Sequence, residues 1–406
     1  MAQYSIFALF MCWGLAGLCG ARTLPLSDST STSKSFDVMD YGAKGDGMKD
    51  DTDAFAKAWN AACSAKGSPE MIIPSGNLFR VGPIQFTGPC ESNHVHVTVE
   101  GDIVGPPPSS WKGASKETWL VFSHVNGLIV DGSGKIDGHG PAWWAQACRQ
   151  NKGDICANPT ALTVEYSSDV RVSGLNIVNS QQMHMGIEQS TSVTLSHLTI
   201  RAPGDSPNTD GIHIQGSSSV TIENCNIGTG DDCISIGPGS SNLNISHIVC
   251  GPGHGISIGS LGKGTEKANV QGVHVTDVNM TGTTNGVRIK TWQGGAGTVS
   301  DITFERITMD NVDRPIIIDQ YYCDSNYRCQ NKTSAVQVKG VKFIGVRGTS
   351  VRPEAVTLAC SKSVACTNIL LDGIDLKTVD GEKTVSYCLN AFGSAKGQVI
   401  PKPCLD

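Results

Sequence analysis

Short apolar alternations recur along the chain at Leu162-Thr163-Val164, Ile187, Ile212-His213-Ile214, Ile234-Ser235-Ile236, Ile256-Ser257-Ile258, Val287-Arg288-Ile289 and Ile316-Ile317-Ile318. Their first residues stand 22 to 31 positions apart, a period that signals a solenoid. Each core alternates with period two between Gly, Asn, Ser and Asp, which is the punctuation of strands rather than helices. A second set runs at a similar period through Val170-Arg171-Val172, Val193-Thr194-Leu195, Val220-Thr221-Ile222, Leu243-Asn244-Ile245, Val273-His274-Val275 and Ile302-Thr303-Phe304. Two or more short strands per coil predict a parallel β-helix, each strand lying about 4.8 Å from its counterpart one coil away.

The same reading places a cap before these coils and looser coils after them. Phe36-Asp37-Val38 opens the fold as a strand, Gly42 to Asp50 forms a loop, and Asp51-Thr52 caps a short helix reaching about Ser64. Phe55, Ala58, Trp59 and Ala62 share one face of that helix, which suits it to covering the open apolar end of a stack. Met71-Ile72-Ile73, Val95 to Val99 and Leu128-Ile129-Val130 read as early coils, with loops at Pro106-Pro107-Pro108, Trp111 and Trp143-Trp144. Paired tryptophans can stack on sugar rings, but packing against the body of the fold is their commoner fate. Late coils follow at Val341-Lys342-Phe343, Ala355 to Leu358 and Ile369-Leu370-Leu371. The expected fold class is all-β, a single domain over residues 36–406 behind a loose Ser/Thr-rich segment at 22–35.

The register has a chemical consequence. Two positions before three successive cores stand Asp210, Asp232 and His254, which a fixed register stacks in one column. One position after the core starts stand His213, Ser235, Ser257 and Arg288, and Lys290 shares a face with Arg288. With Asp231 beside Asp232, the repeat predicts one wall carrying three carboxylates, a histidine, an arginine and a lysine. Adjacent strand residues point to opposite faces, so Asp231 and Asp232 share a cleft only if Gly230 allows a turn or bulge.

Composition narrows the classes. The 406 residues include 47 Gly and only 6% aromatics, as tight stacked coils require, and the net charge of −6 offers no footprint for nucleic acid or a membrane surface. The apolar run Ile6 to Cys19, followed by Gly20-Ala21, predicts a secretory signal peptide over residues 1–21. Thirteen of the 15 Cys then remain. Close pairs in sequence are Cys148 with Cys156, Cys323 with Cys329, Cys360 with Cys366 and Cys388 with Cys404; Cys63 with Cys90 and Cys233 with Cys250 are further candidates, leaving Cys225 as a buried thiol. No pair has zinc-site spacing, so disulfides are expected rather than metal. Glycan acceptor sequences occur at Asn244-Ile245-Ser246, Asn279-Met280-Thr281 and Asn331-Lys332-Thr333.

Glycoside hydrolysis needs one protonated carboxyl for the leaving oxygen and one carboxylate to activate water or attack the sugar. Asp210, Asp231 and Asp232 supply both, since carboxylates this close cannot all ionise cheaply. Asp231 is the expected acid: Asp232 adjoins it, Asp210 lies one coil away, and no Lys or Arg occurs between Ala202 and Gly262 to relieve the repulsion. Arg288 and Lys290 suit a carboxylate on the sugar, one as a fork and the other as a point charge. Taken singly, each motif also reads as turn chemistry, a spacer histidine, a solvated basic face or a calcium site. Stacked in register, they read as an active site.

Asn208-Thr209-Asp210, Gly230-Asp231-Asp232, Gly253-His254-Gly255 and Arg288-Ile289-Lys290, in this order and spacing, resemble the four signature segments of the polygalacturonases, glycoside hydrolase family 28. The resemblance runs from about Phe36 to Cys404. The stretches Ala202 to Pro207 and Gly251 to Ser260 are most similar to plant members, especially pollen-type exopolygalacturonases. The likeness implies a right-handed parallel β-helix of the pectin-lyase-like kind and inverting, exo-acting hydrolysis of α-1,4-galacturonosyl linkages. It implies Asp231 as acid, Asp210 with Asp232 activating water and His254 supporting the acid. It further implies Arg288, Lys290, Tyr322 and Asn208 on the substrate, with Asp324 closing the last segment. A monomer secreted to the cell wall, without cofactor or metal and with pectin as its only partner, completes the expectation. Two rivals stand beside it: a calcium-dependent pectate lyase and a catalytically silent pectin-binding solenoid.

Overall fold

The computed structural model of the chain describes residues 33–112, 117–147, 158–264, 266–324 and 329–406. The expected signal peptide over residues 1–21, the loose segment's first part and the Cys148–Cys156 pair lie outside these residues.

Nearly every described residue belongs to a stack of coils whose strands pair in parallel with those one coil away, a parallel β-helix. The first apolar set forms one strand per coil in a continuous sheet. Its centre runs through Met185–Glu188, Ile212–Gln215, Ile234–Ile236, Ile256–Leu261, Val287–Trp292 and Ile316–Tyr322. Ile212 pairs with Ile234, Ile234 with Ile256, Ile256 with Val287 and Val287 with Ile316, so the register read from sequence holds across five strands. The second set stacks likewise, Val170 on Val193, Val220, Leu243, Val273 and Ile302. A third strand was not anticipated. It appears as Asn176–Val178, Thr199–Arg201 and Asn226–Gly228, three residues each with a single buried Ile at the centre, too little alternation to register as a pattern.

The apolar positions fill the bore. Ile212, Ile214, Ile234, Ile236, Ile256, Ile258, Val287 and Ile289 are all fully buried, and stacking like side chains on successive coils gives the core near-crystalline packing without aromatic bulk.

The helix Thr52–Cys63 buries Phe55, Ala58, Trp59 and Ala62. Trp59 meets the rings of Phe86 and Phe122, and Phe55 that of Phe79, so the helix closes the first coils. Three expectations change here. Asp51 does not cap the helix with its side chain; its buried carboxylate accepts instead from the amides of Lys44 and Gly45, at 2.8 and 3.1 Å, tying down the preceding loop. The first strand begins at Ser33 rather than Phe36, because its backbone pairs with Ser68 to Ile72 whatever side chains it carries. The loop expected at Trp143-Trp144 is a short helix, Gly140–Ala147, with Trp143 buried against Trp111 and the Trp144 indole donating to the Ser180 carbonyl.

Five expected disulfides are formed: Cys63–Cys90, Cys233–Cys250, Cys323–Cys329, Cys360–Cys366 and Cys388–Cys404. Cys233–Cys250 closes a 17-residue separation directly beside Asp232, a loop whose crosslinking is worth roughly 3 kcal/mol. Cys225 is a free, buried thiol, and burial pushes it up to about 11. We expect no reaction with a thiol-specific disulfide reagent at pH 8 until the protein unfolds; stoichiometric labelling of the native protein would contradict that burial.

Candidate active site

The residues flanking the six central strands converge on one wall. The register continues past the strand starts, because the Gly211 amide donates to the Asp232 carbonyl at 2.9 Å and the Cys233 amide to that of Gly255 at 2.8 Å. Asp210, Asp232 and His254 therefore stand in one column. Residues Gly230 to Cys233 bend instead of continuing as a strand, which lets both adjacent carboxylates serve the same side. Gly230 makes the bend possible: a Cβ there would fall 2.0 Å from the Ser206 carbonyl oxygen. The Gly230 amide also donates to the buried Thr209 hydroxyl at 3.0 Å, locking the first two motifs together.

Asp232 is the fixed point of the site. Its side chain is 1% exposed, and it accepts from Arg288 Nη2 and Lys290 Nζ, each at 2.9 Å, and from Ser257 Oγ at 2.8 Å. Arg288 Nε also donates to Ser257 Oγ at 3.0 Å. The sequence stretch around the acids holds no cation, so relief was not expected; it arrives from a strand two coils further on. Arg288 and Lys290 are accordingly not free cations but partners of a buried carboxylate.

Asp231 is half-buried. Its Oδ1 lies 2.9 Å from His254 Nδ1 and accepts the Asp232 amide at 2.8 Å, while the His254 amide donates to its carbonyl. Burial alone would raise its carboxyl, but the hydrogen bond and charge of His254 outweigh it and hold Asp231 below the ordinary value. Asp210 goes the other way. Burial, then the charges of Asp231 and Asp232, push its carboxyl well above 3.8, with a Ser235 hydrogen bond only partly offsetting them. In the unliganded protein the two neighbours are thus pushed apart, Asp210 toward its protonated form and Asp231 toward its ionised form. The physical difference is His254, whose ring lies against Asp231 and favours its carboxylate, while Asp210 has only the Ser235 hydrogen bond and the more distant charge of Lys290 to offset its burial.

This shift carries a stability consequence. An acid whose folded value is raised binds its proton more tightly in the native state, so stability is unaffected below about pH 3.8 and is lost as pH climbs from there through the raised value. Asp210→Asn removes the buried charge. It is expected to melt above the wild type at pH 7 and close to it near pH 3.8, while losing activity. Thermal melts at the two pH values check it, and an equal or lower melting point at pH 7 would refute the sign.

One supporting residue, His184, escaped the sequence reading, and another, His213, was placed on this wall by the register without a role. His184 is fully buried, its Nδ1 lies 3.0 Å from the Asp210 carbonyl and burial holds it at about 4, so it is neutral at ordinary pH and anchors the Asp210 backbone. His213 Nδ1 lies 2.8 Å from Ser235 Oγ, which orients the hydroxyl beside Asp210. Neither adjoins a signature segment as its catalytic member, and a histidine between apolar residues gives no signal of its own.

On the far side, Lys290 Nζ sits 5.5 Å from the Tyr322 ring centre, and Tyr322 meets Trp292 edge to face at 5.3 Å. Burial pushes the Tyr322 hydroxyl up to about 12. Asn208 is exposed at a left-handed turn, with φ of 54°, and Asp324 is exposed beyond the strand that carries Tyr322. Asp231, Asp232 and His254 each offer an atom within 4.8 Å of the others, a spacing that could hold a cation. The donor set does not fit calcium, which takes six to eight oxygens. Both Asp232 oxygens, moreover, already face fixed positive charges.

A wall of differentiated carboxylates on a parallel β-helix defines a sugar-hydrolysing class, and the chain belongs to the glycosyl hydrolases family 28, whose profile matches residues 63–396. It is 46% identical to a probable polygalacturonase of Arabidopsis thaliana over 94% of this chain and 87% of that one. It is 43% identical to a polygalacturonase of Malus domestica, over 93% and 81% respectively. Among solved structures, the endo-xylogalacturonan hydrolase of Aspergillus tubingensis superposes with a TM-score of 0.76 at 25% identity, covering 87% of this chain and 98% of that one. The exopolygalacturonase of Thermotoga maritima shares the fold, with a TM-score of 0.73 at 18% identity over 90% and 91%.

Proposed function

We propose that this protein is a secreted cell-wall hydrolase that cleaves α-1,4-galacturonosyl linkages of polygalacturonate in a single inverting step, from the non-reducing end. The observation that carries the reading is the separation of three neighbouring carboxylates into distinct states: Asp232 held by two cations, Asp231 by His254, and Asp210 favouring its proton.

In the competent state Asp231 is protonated and Asp210 and Asp232 are carboxylates. The pair Asp231 carboxylate with His254 imidazolium is a tautomer of Asp231 acid with neutral imidazole, one proton shifted across the 2.9 Å contact. Asp231 gives that proton to the glycosidic oxygen as the bond to the anomeric carbon breaks. A water polarised by Asp210 and Asp232 attacks the opposite face and passes its proton to Asp210. The state left behind has Asp210 protonated, Asp231 ionised and His254 neutral, so the His254–Asp231 pair is one proton short of where it began. Resetting needs one proton from Asp210 to solvent and one to the His254–Asp231 pair. Arg288 and Lys290 keep donors beyond those given to Asp232, and with Tyr322 they suit a uronate ring and its carboxylate. The five disulfides agree with an oxidising compartment.

The product profile on unesterified polygalacturonate tests this. Monomer alone from the first time point is expected, with inverted anomeric configuration by NMR and no loss in EDTA. A spread of oligomers would make the enzyme endo-acting. Unsaturated, ultraviolet-absorbing products that vanish with EDTA would make it a lyase.

A further inference from the structure

Away from the cleft, the long strands Ser241–Cys250, Lys267–Thr281 and Ala296–Val312 bend at His247, Asp277 and Arg306, all at left-handed backbone angles. The aligned bends leave a groove of about 660 Å³ along the outside of the coils. That volume lies within the roughly 300–1,000 Å³ of sites that seat small ligands. Val249, Asn279 and Thr308 occupy matching positions on successive coils inside it. Asn279 is exposed and heads the acceptor sequence Asn279-Met280-Thr281, and its neighbour Val249 is an apolar side chain left 46% exposed. Arg306 forks onto Asp277 with Nε and Nη2 at 2.7 and 2.9 Å, presenting a planar polar edge beside Asn279.

We propose that Asn279 is an N-glycosylation site, its amide nitrogen losing a proton and displacing the diphosphate from the anomeric carbon of a lipid-linked oligosaccharide in the secretory pathway, and that the first sugars of its glycan lie in this groove. The glycan is covalently tethered at the groove, so it reaches Val249 and Thr308 without the entropy cost of a free ligand. Its apolar ring faces and acetamide methyl cover Val249. Its hydroxyls meet the Arg306–Asp277 pair and Thr308. Asn244 and Asn331 are exposed acceptors too, but neither lines this groove. The proposal rests on the reading of the chain as a secreted protein.

The test uses the full chain expressed in a eukaryotic secretory host. Peptide mass spectrometry after release by peptide N-glycosidase in water enriched in oxygen-18, which leaves one heavy oxygen on the Asp that is formed, should mark Asn279. Release from the native protein should be roughly tenfold slower at Asn279 than at Asn331 or Asn244, whichever is occupied, equivalent to about 1.4 kcal/mol of seating. The two rates should converge once the protein is unfolded. Arg306→Ser should speed native release at Asn279 alone, and Asn279→Gln should leave activity on polygalacturonate unchanged. Glycans elsewhere with Asn279 bare would overturn the site, and native release as fast as from unfolded protein would overturn the seat. A chain secreted by no host and bare at every acceptor would overturn the secretion reading and this proposal with it.

Discussion

Asp231→Asn is expected to lower kcat on polygalacturonate by about 100- to 10,000-fold, the usual worth of a positioned general acid, with KM and melting temperature near wild type. The isostere keeps an oxygen for the Asp232 amide and for His254 Nδ1, so the bend at Gly230 has no reason to move. What disappears is the transferable proton. Reducing-sugar release measured beside polymer binding separates the two effects. If the variant works within a few-fold of wild type, the proton donor is another group, and Asp210, whose carboxyl is pushed toward its protonated form, would be the first to examine. If neither protein releases sugar while both bind polymer, the silent pectin-binding reading prevails.

Asp232→Ala should cost stability as well as activity. It leaves the guanidinium of Arg288 and the ammonium of Lys290, whose side chains are only 14% and 10% exposed, without their shared carboxylate. Stripping one partner from a buried ion group costs about 3–5 kcal/mol, because the remaining charge is neither solvated nor paired. Denaturant unfolding measures this, and Asp232→Asn, which keeps an acceptor oxygen, should lose less. A loss under about 1 kcal/mol would mean the cations turn out to solvent and the cluster is a surface pair in energetic terms. Both variants should also bind substrate poorly, since the same two cations are displaced from the geometry that Asp232 and Ser257 enforce.

Much of the architecture was legible because a parallel stack converts sequence spacing into position. Ile212, Ile234, Ile256 and Val287 pair one to one, so counting back two residues from the first three finds the column of Asp210, Asp232 and His254 without a structure. Counting forward one finds Ser235, Ser257 and Arg288. The disulfides were legible for a related reason, since partners close in sequence stay close when coils are short. The third strand of each coil was not, because one apolar residue in three carries no period. Nor was the helix Gly140–Ala147, whose tryptophans looked like loop residues and proved to be packed against Trp111 and Ser180. His184 was invisible because its partners are backbone carbonyls of other coils.

The sequence by itself determined the coil, its register and the wall on which the carboxylates meet, since apolar periodicity must be buried and a slip of one residue would turn every side chain to the wrong face. Only the tertiary structure decided which carboxyl is pushed toward its protonated form and which toward its ionised form. Arg288 and Lys290 reach Asp232 from 56 and 58 residues away, and His254 reaches Asp231 from 23. Protonation depends on burial and on through-space distances of a few ångströms in a medium that screens poorly, quantities that exist only once the coils are stacked.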